Sequence, residues 1–146
     1  TTALDYYQQV ADESVLGRVP TLRALGVLRK TLNTCLCLGR IEQADQLIAK
    51  SHALLQRDAS LSPSEKVCER ALFMVRQAVL LSQRGQYQPA LDVAKHAFAI
   101  LALTDLHTEV ANLQLTMGGC YQRLGRIDKA EEFYLDSLST FRRVGD

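Results

Sequence analysis

Residues 124–138 read LGRIDKAEEFYLDSL. Alone, the stretch is one amphipathic helix opened by a glycine. Two other glycines change its meaning. Gly39 stands in LGRIEQADQLIAKSHALL, Gly85 in RGQYQPALDVAKHAFAIL and Gly125 in LGRIDKAEEFYLDSLSTF. Five residues after each glycine stand Ala44, Ala90 and Ala130, and eight after stand Leu47, Val93 and Phe133. Twelve after are Ser51, Ala97 and Ser137, all small; sixteen after are Leu55, Leu101 and Phe141. Four before are Cys35, Leu81 and Tyr121. Simple amphipathicity needs large residues on one face, but it does not need small ones at fixed offsets. The agreement is that of an internal repeat.

The N-terminus joins the series, because ALDYYQQVA at 3–11 aligns with ALDVAKHAF at 90–98. The repeated alanines Ala3, Ala44, Ala90 and Ala130 are then spaced by 41, 46 and 40 residues. The polar connection RDASLSP at 57–63 accounts for the longest interval. On this register the chain starts within a repeat, and 1–146 is expected to be a fragment of a larger protein. Each unit reads as a helix pair. The glycine ends a first helix in the left-handed conformation, which lacks a steric penalty without a Cβ. Small residues at the fifth and twelfth places let the second helix approach the first. Ser62-Pro63-Ser64-Glu65 has the form of a capping box with proline at the first helical position. Pro20 and Pro89 also suit a first turn, where a missing N–H costs nothing. The pattern predicts seven helices at about 2–16, 20–38, 41–57, 63–84, 87–103, 105–124 and 127–144. The expected fold is all-α: a right-handed α-solenoid of antiparallel helix pairs in one segment, 1–146. It comprises the second helix of a truncated repeat (1–17) and three pairs (20–57, 63–103 and 105–144).

Composition agrees and removes several functions. A chain of 146 residues is the size of one domain and buries roughly 70% of its unfolded surface when compact. A formal net charge of +1 gives no basic surface for direct nucleic-acid binding. No apolar run approaches the ~18 residues of a membrane span, and TTALDYYQQV has no signal-peptide pattern. Four irregularly spaced cysteines (Cys35, Cys37, Cys68 and Cys120) fit free thiols in a reducing, cytoplasmic setting. CxxC, HExxH and GxxxxGK are absent, and His52, His96 and His107 lie on different predicted helices. No metal, cofactor, phosphate site or catalytic centre is therefore expected. Asp128, Glu131 and Glu132 near the start of one helix, and Arg142 and Arg143 near its end, suit the helix dipole.

Residues 111–144, ANLQLTMGGCYQRLGRIDKAEEFYLDSLSTFRRV, resemble the tetratricopeptide repeat. They carry its adjacent Gly118 and later Tyr121, the loop Gly125, Ala130, the aromatic Tyr134 and small Ser137. The other two copies have Leu32 and Ala78 in place of Gly118, and no copy has the proline that usually closes the repeat. The period of 40–46 residues exceeds the ~34 usual in the family. Longer repeats ending in phrases such as TFRRVGD are similar to the helical sensor arms of bacterial maltose-activator-like regulators and nucleotide-switch ATPases. The resemblance implies a non-enzymatic module whose first helices line a concave groove for a protein or peptide partner, or for a small regulatory ligand. The groove positions fall on Arg29, Asn33, Val75, Val79, Leu115 and Gly119, with Leu72, Ser82, Asn112 and Gln122 beside them. Arg29 and Asn33, one turn apart, could hold a carboxylate or peptide backbone, and an apolar neighbour could anchor a side chain. The alternative for Val75, Val79 and Leu115 is packing against adjacent helices. Further alternatives are a scaffold segment of a multiprotein assembly and an accessory repeat of an enzyme whose catalytic domain lies elsewhere. Open ends of the array are expected to favour self-association.

Overall fold

A computed structural model describes residues 17–145. They form six α-helices: α1 (Arg18–Cys37), α2 (Ile41–Arg57), α3 (Pro63–Gln83), α4 (Tyr87–Leu101), α5 (His107–Arg123) and α6 (Ile127–Gly145). Each lies within two or three residues of an expected helix. The expected helix at 2–16 falls outside the described residues. The boundary between two compact units falls within α3, between Phe73 and Met74.

All three repeat glycines are left-handed, with φ of 70° at Gly39 and 78° at Gly85 and Gly125. Each closes the same turn. The amide after the glycine donates to a carbonyl five residues back: Arg40 to Cys35 (2.8 Å), Gln86 to Leu81 (2.9 Å) and Arg126 to Tyr121 (2.8 Å). The glycine's own amide donates three residues back, to Leu36, Ser82 and Gln122. These paired bonds form the Schellman motif, which satisfies carbonyls a helix end would otherwise leave open.

In the first unit, α1 packs on α2. Ala44 and Ser51 are fully buried, and Leu25, Leu28, Leu32, Leu47 and Leu55 fill the layer around them. The polar connection 57–63 is an ordered structure built on Asp58. Its carboxylate accepts from Thr21 Oγ1 (2.9 Å), Ser60 N (3.0 Å) and Oγ (2.7 Å), and Leu61 N (2.8 Å). Burial alone would raise the Asp58 pKa, but donors from Ser60, Leu61 and Thr21 outweigh it and hold the carboxyl below its ordinary value. The capping box forms as expected, Ser62 N donating to Glu65 Oε1 (3.0 Å) and Glu65 N to Ser62 Oγ (3.2 Å).

In the second unit, α4 packs on α5, and α5 on α6. Ala90 and Ala97 on α4, and Ala130 and Ser137 on α6, are again buried. Ser137 Oγ donates to the Ala111 carbonyl (2.9 Å) and Thr140 Oγ1 to Gln114 Oε1 (3.0 Å), so two buried side-chain bonds fasten α6 to α5. Phe133 stacks on Tyr121 at 5.4 Å between centroids. Arg126 covers Tyr121 from 5.2 Å.

The two helical glycines of α5 differ. A Cβ at Gly118 would lie 2.8 Å from two ring carbons of Tyr134, whereas one at Gly119 would meet only the Tyr134 hydroxyl at 3.7 Å. Gly118 is therefore required by helix–helix approach and Gly119 is not. Gly119→Ala should stabilise the protein by about 1 kcal/mol through helix propensity. Gly118→Ala should lose more than that gain, because the Tyr134 ring must move. Thermal melts of the two variants check this, and equal shifts would show that Tyr134 yields freely.

Candidate functional site

One open line runs along α5, an otherwise buried helix. Val110, Ala111, Leu113, Gln114, Met117, Gly118, Cys120 and Tyr121 are buried, which accounts for most of its circumference. Thr108, Asn112, Leu115, Gly119 and Gln122 follow one another at steps of four, three, four and three. That spacing keeps them on a single line along the helix. All are exposed except Gly119, which is half-buried. The line offers two amides, one leucine and one bare stretch of backbone. Gln122 is positioned from α6, its Oε1 accepting from the Tyr134 hydroxyl at 2.8 Å. Next to it, Gln122, Ile127, Ala130, Glu131, Tyr134 and Leu135 enclose an open cleft of about 230 Å³.

The other sequence-derived groove positions are placed differently. The stripe of α3 equivalent to that of α5 holds Leu72 and Val75, both buried, and Val79 and Ser82, both half-buried. Its apolar character is used in removing surface from water, so Leu72 and Val75 offer no free side chain to a ligand. On α1, Asn33 is exposed and Arg29 is half-buried. The Arg29 guanidinium pairs with Glu69 at 2.5 Å and lies 6.0 Å from the centroid of Phe73. It links α1 to α3 and is held by the fold. Of the expected groove residues, Asn112 and Gln122 share one open face, together with Leu115 and Gly119.

The sequence reading missed the ion pairs between successive first helices. Besides Arg29–Glu69, Arg76 forms a two-pronged pair with Glu109, one contact at 3.0 Å. Arg76 is buried. A signal existed: Glu69 and Glu109 each stand sixteen residues before a repeat glycine. Periodicity marks their positions but not their partners, since Arg29 and Arg76 differ by one in register.

The four cysteines are free thiols: Cys35 and Cys120 are buried, Cys68 is half-buried and Cys37 is exposed. Burial pushes the thiols of Cys68 and Cys120 up, the direction opposite to an activated nucleophile. Among the described residues, no cluster of His, Cys, Asp and Glu could hold a metal ion. None of the described helices is long and apolar enough to cross a membrane.

Residues 69–143 match the family model described as tetratricopeptide repeat. The crystal structure of the repeat domain of Arabidopsis FLU superposes with a TM-score of 0.62 at 22% identity, covering 87% of this chain and all of that one. At that identity the likeness concerns fold alone. No curated protein matches the sequence.

Proposed function

The chain belongs to the tetratricopeptide repeat family, and on that premise we propose that it is a non-catalytic module holding an extended peptide or partner segment along the open stripe of α5. Such repeats are protein-interaction modules, and the chain carries the same helical-repeat fold. The observation that supports this site is the contrast on one helix. α5 is buried nearly all round, yet Asn112, Leu115 and Gln122 are exposed on one line, with the half-buried Gly119 between them. The Asn112 and Gln122 amides can each donate to and accept from a peptide backbone. Leu115 supplies an apolar contact, and Gly119 lets a backbone come close. Arg29 is assigned to packing in this reading, and Asn33 to a secondary contact.

A peptide selected on the immobilised 146-residue chain, then titrated by calorimetry, tests the site. Asn112→Ala and Gln122→Ala should each weaken binding by roughly fivefold, the loss of about one hydrogen bond. Leu115→Asp should weaken it further, with helicity unchanged. A selected peptide indifferent to all three substitutions removes α5 as the binding face.

The wider setting we infer is the sensing or interaction arm of a cytoplasmic bacterial signalling or transcription regulator. The long repeat period and the closing TFRRVGD support it. The complete reading frame decides. A helix-turn-helix and a P-loop in the same polypeptide favour the regulator, whereas repeats alone favour a scaffold.

A further inference from the structure

α6 is apolar on two faces. One is the core face, with Ala130, Phe133, Ser137 and Thr140. The second lies roughly a third of a turn away and carries Ile127, Leu135 and Leu138, which are 59%, 57% and 47% exposed. Glu131 and Arg142 share that second face, at steps of four, three and four along Glu131, Leu135, Leu138 and Arg142. The remaining face is polar, with Lys129, Glu132, Asp136, Ser139 and Arg143.

The equivalent positions of α4, which packs against α5, are Tyr87, Leu91, Lys95 and Phe98, followed by Ala102 just past its end. There Tyr87, Leu91 and Phe98 are buried or half-buried, and Lys95 and Ala102 are exposed. α6 does not copy that surface. It has Glu131 in place of the buried Leu91, Leu135 in place of the exposed Lys95, and Arg142 in place of Ala102. A charge replaces the central apolar residue, and leucine replaces a charge. What this pattern fits is itself, reversed. Two copies of α6 laid antiparallel about a two-fold axis level with residues 136–137 set Leu135 against Leu138 of the second copy. Glu131 then meets Arg142 of the second copy at both ends. The cleft beside Glu131, walled by Ile127, Tyr134 and Leu135, suits an arginine, whose stem is apolar and whose head pairs with a carboxylate.

We propose that α6 is a self-association helix through which two copies of this chain form an antiparallel, two-fold symmetric dimer. A two-fold interface is self-complementary by construction, and acidic residues at the start of α6 with basic ones at its end supply that complementarity. One helix face is small against the ~800 Å² that each partner gives to a standard interface. The dimer is accordingly weak, with a dissociation constant on the order of 10–100 μM. The dimer face lies on α6 and meets the α5 stripe only at the cleft that Gln122 also lines, and its test reads self-association rather than peptide binding.

Sedimentation equilibrium of the 146-residue chain is the test. The dimer should appear at tens of micromolar. Leu138→Glu should abolish it, with helicity retained because Leu138 is outside the core. Glu131→Arg and Arg142→Glu should each weaken it about tenfold, since each reverses two symmetric contacts. Combining the two should restore it, because the reversed charges again meet across the axis. A monomer at about 1 mM overturns the proposal. A dimer insensitive to Leu138→Glu and to both reversals also overturns it, as does a double reversal that fails to recover.

Discussion

Ala130→Arg is expected to melt the α5–α6 pair. Ala130 is 3% exposed, and its equivalents Ala44 and Ala90 are fully buried. The position is small because the two helices approach each other there. An arginine would push the helices apart or carry a charge into a dry contact without a partner. Overpacking alone typically costs about 1–3 kcal/mol, and an unpaired buried charge takes the total to roughly 5 kcal/mol or more. In a repeat protein, stability is largely a sum of each unit and its neighbours. The expected result is therefore a partial loss of helicity with new proteolytic cleavage within 105–145, rather than collapse of α1 and α2. Ala130→Ser, of nearly the same size, should cost about 1 kcal/mol. An unchanged melting temperature for Ala130→Arg would mean that the repeat register is misplaced.

The second large effect is expected at Glu109. Its carboxylate takes both prongs of the Arg76 guanidinium, and the Arg76 side chain is only 10% exposed. Removing the acid takes from a buried cation the carboxylate that both of its prongs use. Glu109→Ala should cost roughly 3 kcal/mol, measured by urea titration of helicity. The double variant Arg76→Met with Glu109→Met should recover much of that loss, because a buried pair is often matched by apolar residues of similar volume. Glu69→Ala should cost less, since its partner Arg29 has a side chain 23% exposed and can turn to water. Equal costs for the single and double variants at 76 and 109 would show that the lost packing of Glu109, rather than the stranded charge, sets the effect.

The pattern in LGRIDKAEEFYLDSL carried the architecture. Gly125 with Gly39 and Gly85 located the left-handed turns, and Ala130 with Ala44 and Ala90 located the close helix contacts. Both are local requirements. A left-handed turn asks for glycine whatever surrounds it, and a tight helix crossing asks for a small residue at a fixed place. Gly118 meets the same kind of requirement, because the Tyr134 ring leaves no room there for a Cβ. The family and its helix boundaries were legible for this reason too.

The candidate site was legible only in part, because exposure is not a local property. Val75 and Leu115 each stand ten residues before a repeat glycine in successive first helices, yet Leu115 is exposed while Val75 is buried. Arg29 has the chemistry of a ligand contact, but Glu69, forty residues away, already holds it. The sequence by itself determined a helical repeat, its register and its turns, because each depends on residues within one helix pair. Only the tertiary structure decided which faces stay open and which charges are already paired, because a side chain's burial and partners depend on elements far away in the chain.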